Sequence, residues 1–402
     1  METITSSVLQ KYTIQKASKR FAHKRVLLRV DWNVPLKNAK VLDDTRLRES
    51  LKTIRFLLAC GVSQIICISH LGRPKGVDLA YSLQPIQKVL QTHIRKYIAF
   101  LPTHSYADFT KLPQKDQKAK ILLLENIRFS PKEKKNSKAF AKELAKFADI
   151  YVNDAFGTAH RAHTSNAAIT KLLPSYIGIL MEKELRMLQT IRQNPPKPFV
   201  SVIGFAKIAD KLSVLKRVLE NSDYVLVGGA VVFTFLQAKG IQTGKSLVEV
   251  DMIDEAKKVL AKYESKIILP LDVVCAKSLQ STTRKVYPLN RIPSSYAGFD
   301  VGPKTISLFK SYCDTAKTLF WNGPLGVFEI KPYNKATNML TRHIAKQTTA
   351  QLLVGGGDTV SAIKGGLKSI PKHFYLSTGG GASLTALKAT PLPAIRAIYT
   401  QK

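Results

Sequence analysis

The sequence predicts an α/β protein with two Rossmann-like lobes, each a mostly parallel sheet with helices on both faces, joined by a helix and a hinge. Short apolar runs alternate with amphipathic stretches along the whole chain, as they do where helices connect parallel strands. The apolar runs are continuous, which is typical of strands buried on both faces. The pattern stops once, at residues 194–198, where three prolines end a helix, and then restarts.

Individual elements follow from these patterns, and a chain of 402 residues is long enough for two domains. The predicted strands are 26–30, 65–69, 121–124, 200–204, 225–227, 267–270, 319–321, 352–354 and 374–377. The predicted helices are 46–59, 82–95, 137–147, 181–193, 251–263 and 333–346. We expect an N-terminal lobe over 1–180, a linking helix and hinge over 181–197, a C-terminal lobe over 198–384, and a segment, 385–402, that returns to the N-terminal lobe.

The charge of the chain is unusual, with 62 Lys and Arg against 28 Asp and Glu and a formal net charge of +34. Such a field attracts polyanions and anionic metabolites. The basic residues are spread over the whole chain and form no known nucleic-acid-binding module. We therefore expect weak, non-specific polyanion binding and no specific nucleic-acid partner. A lysine-coated surface without a binding role is the simpler interpretation of the excess.

The chain shows no pattern of a membrane-spanning or secreted protein. No apolar run reaches 18 residues, and residues 1–10 lack a basic region followed by an apolar one. Cys60, Cys67, Cys275 and Cys313 form no CxxC pair, which favours reduced, buried thiols. We expect a cytoplasmic monomer without a membrane partner.

Four glycine-rich loops follow predicted strands of the second half. They lie at 228–230, 322–326, 355–358 and 377–383 and include Gly228, Gly229, Asn322, Gly356, Gly357, Gly380 and Gly381. Glycine lets backbone N–H groups close on an anion, and a helix that starts just after the loop adds the positive end of its dipole. Four such loops at the ends of strands predict a mononucleotide site, and the absence of GxxxxGK[ST] excludes a P-loop.

Charged side chains near these loops suggest further contacts, each with a simpler alternative. Asp358 is the only acid in residues 330–402 and is a candidate Mg²⁺ ligand, although a helix cap also explains it. Glu329 is a candidate for the ribose hydroxyls, or else a surface acid. Lys207 and Lys211 are spaced to share a helix face with a phosphate between them, or else are two solvated lysines.

The first half carries basic residues in loops after predicted strands. These are Arg46, His70, Arg73, Arg128, His160, Arg161 and His163. Arginine binds phosphate and carboxylate through a planar fork, so the set suits a small substrate bearing both groups. A metal site formed by His160 and His163 is an alternative that the neighbouring arginines disfavour.

Five stretches make the chain resemble the phosphoglycerate kinases from end to end. They are 29–35 (RVDWNVP), 69–74 (SHLGRP), 151–163 (YVNDAFGTAHRAH), 321–329 (WNGPLGVFE) and 377–383 (STGGGAS), in the order in which the family has them. The resemblance implies that the glycerate substrate is bound by Asp31, Asn33, Arg46, His70, Arg73, Arg128 and Arg161. It implies that the Mg-nucleotide is served by Lys207, Lys211, Asn322, Glu329, Gly356, Gly357, Asp358 and Thr359, next to Gly228 and Gly229.

The resemblance also implies a reaction, the reversible transfer of the acyl phosphate of 1,3-bisphosphoglycerate to Mg-ADP. The acceptor is already ionised in either direction, so catalysis needs alignment and charge stabilisation rather than a general base. The candidate catalytic groups are Arg46, Lys207 and the N–H groups around Gly380 and Gly381, with Mg²⁺ bound by Asp358. We expect the two lobes to close over their ligands. The alternative is a catalytically impaired protein of the same fold that binds polyanions.

Overall fold

Two units make up the chain, one of residues 1–186 with 389–402 and one of residues 187–388. The computed structural model describes residues 10–102, 112–209, 211–346, 350–379, 381–386 and 392–401. The helix predicted as the link is thereby divided between the units. The predicted domain boundaries stay a prediction.

Unit 1 is built on a six-stranded parallel sheet with the order β5-β6-β4-β1-β7-β8. Its strands are β1 (Arg25–Arg29), β2 (Leu36–Lys37), β3 (Lys40–Val41), β4 (Gln64–Ile68), β5 (Ile98–Leu101), β6 (Ile121–Leu124), β7 (Ile150–Asn153) and β8 (Ser175–Ile177), of which β2 and β3 form a separate hairpin. Its helices are α1 (Thr45–Ala59), α2 (Gln84–Ile94), α3 (Gln114–Gln117), α4 (Lys138–Ala145), the shared α5 (Ile179–Gln193) and α13 (Pro393–Tyr399).

Strand β1 shows why the apolar runs are continuous. Val26 and Leu28 lie in one apolar cluster and Leu27 lies in another, so both faces of the sheet are covered. Neighbouring residues of a strand point to opposite faces, and both must then be apolar. The resulting core fixes the sheet and leaves the loops at its carboxyl edge to carry polar side chains.

Helix α13 joins unit 1 although it is distant in sequence. The backbone N–H of Ala394 donates to Ala159 O at 3.0 Å, and the Thr170 hydroxyl donates to Ala397 O at 3.1 Å. The side-chain amide of Gln401 bonds both the N–H and the carbonyl of Ser175, at 2.7 and 2.9 Å. The last described residues therefore complete the edge of the sheet at β8.

Unit 2 contains a second six-stranded parallel sheet, with the order β11-β10-β9-β15-β16-β17. Its strands are β9 (Phe199–Gly204), β10 (Tyr224–Gly228), β11 (Ile267–Ile268), β12 (Asp272–Ala276), β13 (Lys285–Pro288), β14 (Ala297–Val301), β15 (Thr318–Asn322), β16 (Gln351–Gly355) and β17 (Phe374–Leu376). Its helices are α6 (Leu212–Asn221), α7 (Val231–Ala238), α8 (Ile253–Tyr263), α9 (Pro303–Thr315), α10 (Lys335–Ala345), α11 (Gly357–Gly366) and α12 (Gly381–Ala386).

The predicted fold class is confirmed, since both large sheets are parallel and their strands are connected by helices. Strands β12, β13 and β14, which the sequence patterns did not reveal, form an additional antiparallel sheet. Within the described residues, no helix has the length and apolar character needed to span a bilayer.

Candidate functional site

The predicted substrate residues of unit 1 meet at the carboxyl edge of its sheet. Asp31, His70, Arg128 and Arg161 lie in the segments that follow β1, β4, β6 and β7, and these strands are neighbours in the sheet. Arg46 is different: it was grouped with the loop residues, but it is the second residue of α1, within the helix predicted over 46–59. We call Asp31, Asn33, Arg46, His70, Arg73, Arg128 and Arg161 the basic site.

Hydrogen bonds connect the loops of the basic site to one another. Arg46 Nη1 donates to Asp31 Oδ2 at 3.1 Å and to the carbonyl of Asn33 at 3.2 Å. Asn33 Oδ1 accepts from the N–H of Gly72 at 2.8 Å, and Arg128 Nη1 donates to Gly72 O at 2.6 Å. Gly72 has φ +63°, and a Cβ there would lie 2.2 Å from the ring of Tyr81. The loop after β4 is therefore held between the loops after β1 and β6.

Crowded positive charge is the main electrostatic property of this site. Burial, and then the charges of Arg29 and Arg161, lower the pKa of Arg128 to about 10. Burial, and then the charge of Arg73, lower the pKa of Arg161, which places the exposed Arg73 within electrostatic reach. Burial and the arginines hold the pKa of His70 well below its usual value, so it stays neutral. An anion relieves this repulsion.

Unsatisfied donors indicate where such an anion would bind. Arg128 is only 5% exposed, and its Nε and Nη2 have no hydrogen-bond partner among the residues that the structure describes. A buried donor without an acceptor is costly, and a guanidinium matches the oxygens of a phosphate or carboxylate. The site thus fits an anionic substrate.

The histidine pair after β7 does not favour a metal. His160 Nε2 accepts from Arg161 Nε at 3.0 Å. Burial and then Arg128 lower the pKa of His163 to about 4, so both rings face a positive environment that repels cations. No group of three potential metal ligands occurs among the described residues.

Arg29 is a site residue to which the sequence interpretation assigned no role. It is fully buried, its Nη2 lies 3.1 Å from His70 Nδ1, and its Nε donates to the Ser165 hydroxyl at 2.9 Å. That hydroxyl donates in turn to buried Glu133 at 2.7 Å. A charged residue inside an otherwise apolar run was the signal that could have identified it.

The predicted nucleotide residues of unit 2 surround a cavity of about 970 Å³, which we call the glycine-lined cavity. It is lined by the loops after β9, β10, β15 and β16, together with residues of the antiparallel sheet. The predicted residues on its wall are Lys207, Lys211, Gly229, Asn322, Glu329, Gly356, Gly357, Asp358 and Thr359. Its volume lies in the range of small-molecule sites. Lys245 and Lys277 also line it and were not predicted.

Three glycines with positive φ lie on the wall of this cavity, Gly229, Gly323 and Gly356, and the last two connect its loops. Gly356 has φ +93°, and a Cβ there would lie 2.8 Å from the Asn322 amide nitrogen. Gly323 has φ +92°, and its N–H donates to the hydroxyl of Thr359 at 2.7 Å. The loop after β15 is thus tied to the start of α11, whose N-terminal N–H groups favour a phosphate.

Three sequence interpretations of this region need correction or limitation. Lys207 and Lys211 do not share a helix face, because α6 begins only at Leu212 and both lie in the preceding loop. Gly228 ends β10, where a Cβ would meet Leu325 Cδ2 at 2.6 Å, and it is not on the cavity wall. Gly380 lies outside the described residues, and Gly381 begins α12.

The acids of the cavity have different surroundings. Asp358 is exposed in the first turn of α11, and Gly356 rather than Asp358 is the cap residue. Glu329 is also exposed on the wall. Asp300 is buried; its carboxylate accepts from the N–H groups of Val301 at 2.9 Å and Ala336 at 3.0 Å, and burial raises its pKa to about 8. Of these acids, Asp358 is the one placed beside the phosphate-favouring helix terminus.

Comparisons with known proteins agree with this geometry. The family model for phosphoglycerate kinase matches residues 16–390. The phosphoglycerate kinase of Thermosipho africanus is 44% identical over 94% of this chain and 96% of its own length. A phosphoglycerate kinase of Thermus thermophilus is 44% identical over 93% of this chain and 97% of its own length.

Solved structures are similar over the same extent. The phosphoglycerate kinase of Coxiella burnetii has a TM-score of 0.82 at 34% identity and covers 94% of this chain and 96% of its own. That of Pyrococcus horikoshii has a TM-score of 0.83 at 30% identity and covers 96% and 98%. The match extends over both units and includes the predicted motifs. The chain therefore belongs to the phosphoglycerate kinase family.

Proposed function

We propose that the basic site of unit 1 binds the glycerate substrate and that the glycine-lined cavity of unit 2 binds the Mg-nucleotide. The chain is a kinase of glycolysis, and its substrates are 3-phosphoglycerate and ATP or ADP. The observation that carries the assignment is the buried guanidinium edge of Arg128, which lies among crowded cations and has no hydrogen-bond partner among the described residues. Such an edge fits a phosphate-bearing carboxylic acid. Nothing favours the alternative of an impaired polyanion-binding protein.

The residues of the basic site divide into those that orient the substrate and one that reaches the transferring group. Arg73, Arg128 and Arg161 bind the phosphate and carboxylate through their guanidinium groups, while neutral His70 and the side chains of Asp31 and Asn33 define the remaining wall. Arg46 projects from the start of α1 and is held by Asp31 and the carbonyl of Asn33. We assign it to the acyl phosphate that is transferred.

The glycine-lined cavity positions the nucleotide with backbone groups and lysines. The N-terminus of α11 and the loops around Gly229, Gly356 and Gly357 hold the phosphates, and Lys207 and Lys211 neutralise them. Glu329 accepts from the ribose hydroxyls, and Asn322 and Thr359 hold the loops in place. Gly380 and Gly381 would donate N–H groups to the transferring phosphate. Lobe closure stays a prediction.

The residues present also fit a magnesium ion carried by the nucleotide. Mg²⁺ is bound through one or two carboxylates together with substrate phosphates and water. Asp358 offers an exposed carboxylate beside the phosphate-favouring start of α11, so it would hold the metal. The bound ion would neutralise charge on the phosphates. The chain's own residues align the donor and acceptor oxygens and exclude water.

We further propose that the enzyme works as a monomer in the cytoplasm, without a membrane partner and with only weak, non-specific affinity for nucleic acid. The four cysteines are free thiols, and burial raises the pKa of Cys275 to about 12, as expected of unreactive thiols in a reducing compartment.

A reciprocal binding experiment tests the assignment of ligands to units. Arg161→Ala is expected to weaken 3-phosphoglycerate binding on the order of tenfold or more and to leave ADP binding unchanged. Lys211→Ala is expected to do the reverse. Both affinities are measured by calorimetry, and ATP formation from 1,3-bisphosphoglycerate and ADP is followed in a coupled assay. If either variant loses affinity for both 3-phosphoglycerate and ADP, the assignment is contradicted.

A further inference from the structure

Unit 1 contains a second cavity, separate from the basic site. It has a volume of about 560 Å³, and we call it the cationic cavity. Four cations line it, namely Lys11, Lys16, Arg20 and Lys171. The rest of its wall includes Tyr12, Tyr176, Leu173, Pro174 and Gln401. None of the family motifs described above contributes a residue to it.

The chain segments that line this cavity carry no acidic side chain. The segments that form it lie within residues 10–24, 164–181 and 392–401, and none of these contains an aspartate or glutamate. Within the described part of the chain, none of the four cations takes part in an ion pair. Four like charges around one cavity repel each other, and an anion placed between them turns this repulsion into attraction.

All four cations are exposed, and two of them contact aromatic residues. Arg20 Nη1 donates to the Tyr176 hydroxyl at 3.1 Å, and Tyr176 is 7% exposed and packs edge-on against Phe21, with ring centroids 5.4 Å apart. Lys11 Nζ lies 5.6 Å from the ring centroid of Tyr12. The Tyr176 oxygen accepts from Arg20, so its own hydrogen is available to an anion. Groups that are already ordered lose less entropy on binding.

We propose that the cationic cavity binds a small anion with several adjacent phosphate groups, of the chemistry of inorganic triphosphate. A single phosphate would leave much of the charge of four cations uncompensated, whereas a chain of phosphates balances it. The cavity volume lies in the range of small-ligand sites. The cations are gathered around one local cavity, unlike the extended basic stripe that a nucleic acid requires.

Occupancy of this cavity stabilises unit 1. Gln401 belongs to the wall and bonds both backbone groups of Ser175 in β8. A ligand between Lys16, Lys171 and Gln401 therefore holds the C-terminal segment against the sheet edge. Because it binds the folded state only, it raises the unfolding temperature in proportion to its occupancy.

The test is a titration of the full chain with inorganic triphosphate in the absence of Mg²⁺, with saturating 3-phosphoglycerate and ADP to block the other anion sites. Calorimetry is expected to show binding to the blocked wild-type protein. The variant with Lys16→Gln and Lys171→Gln is expected to bind on the order of tenfold more weakly. Tyr176→Phe, which removes the partner of Arg20, is also expected to weaken binding.

The matched control carries Lys138→Gln and Lys142→Gln, two exposed lysines of α4 that change the net charge equally. It is expected to bind triphosphate like the wild type and to show the same rise in unfolding temperature. The proposal is overturned if triphosphate does not bind to the wild-type protein saturated with 3-phosphoglycerate and ADP. It is also overturned if both double variants lose the same affinity for triphosphate, because the net charge of the surface then explains the binding. Binding of a short DNA duplex that depends equally on Lys16 and Lys171 assigns the surface to nucleic acid instead.

Discussion

The arginines of the basic site differ in how they are held, and the difference predicts different kinetic roles. Arg73 is exposed and Arg161 is half-buried, whereas Arg46 is fixed by Asp31 and Asn33. Arg73→Ala and Arg161→Ala are expected to raise KM for 3-phosphoglycerate more than they lower kcat, about 10- to 100-fold, because a charge-assisted hydrogen bond is lost. Arg46→Ala and Lys207→Ala are expected to lower kcat about 100-fold with a smaller change in KM.

Steady-state kinetics in both substrates separate these outcomes. Arg48→Ala is the matched control, since Arg48 lies on the same helix in an exposed pair with Asp44 at 2.9 Å. The same pattern at all four positions would contradict the division between binding and transfer.

The proposed magnesium site depends on Asp358. Asp358→Asn is expected to lower kcat about 10²- to 10³-fold, because the amide is a poor Mg²⁺ ligand and stabilisation of the phosphates is lost. Kinetics at varied Mg²⁺ concentration, with circular dichroism to verify the fold, provide the measurement. Asp254→Asn, at an exposed acid of α8, is the control. Near-normal kcat with normal Mg²⁺ dependence would leave Asp358 as an acid that only stabilises the start of α11.

At the scale of elements, Asp300 connects β14 to the start of α10. Its pKa is about 8 in the folded protein against an ordinary value of 3.8, so the folded state binds its proton more tightly. The resulting stability is complete below about pH 4 and is lost as pH rises through 8. Asp300→Asn has no such proton. Its free energy of unfolding, taken relative to that of the wild type, is therefore expected to rise from pH 5 to pH 8.

Thermal unfolding of both proteins across this pH range provides the measurement. Asp272→Asn is the comparison, because Asp272 is a buried acid of the same small sheet whose oxygens accept from Thr305 N and Lys304 N. A constant difference between Asp300→Asn and the wild type at every pH would show that Asp300 is ionised throughout.

Sequence patterns predicted the strands and helices whose formation depends on residues close together in the chain. Strands β6, β9 and β16 combine a continuous apolar run with flanking turn residues, and they were predicted within one residue at each end. Helix α2 begins two residues later than predicted, near a proline in its first turn. Strands β5 and β8 were not predicted although Pro102 follows β5 and Pro174 and Gly178 flank β8. Both strands are short, and their pairing depends on β6 and β7, which are not adjacent to them in the chain.

The same distinction applies to the site. Motif residues such as Asp31, just after β1, and Asn322, the last residue of β15, were predicted because they lie at the carboxyl ends of strands. The prediction that Lys207 lies on a helix was wrong, because spacing alone does not reveal that the chain remains a loop until Leu212. The network of Arg29, Ser165 and Glu133 joins segments more than 100 residues apart, which a local pattern cannot indicate.

At the scale of the whole molecule, we expect the net charge of +34 to affect the rate at which substrates associate with the enzyme rather than the rate of the chemical step. Most of the excess charge lies outside the two sites and is screened over about 8 Å at physiological salt. We expect kcat/KM to fall with added salt more than kcat does, because steering of anionic substrates is lost. Initial rates at increasing NaCl, with sucrose as an uncharged control, test this, and parallel declines would contradict it.

The discontinuity of unit 1 has a consequence for synthesis of the chain. A ribosome releases polypeptide from the amino end, so residues 10–186 emerge long before helix α13, which completes their sheet edge at β8. Unit 2 is continuous over 187–388 and has all its strands once that stretch has emerged. The unit whose translation begins first is therefore the last to have all of its parts, and until then its nascent β8 edge lacks the cover that Gln401 and Ala397 provide.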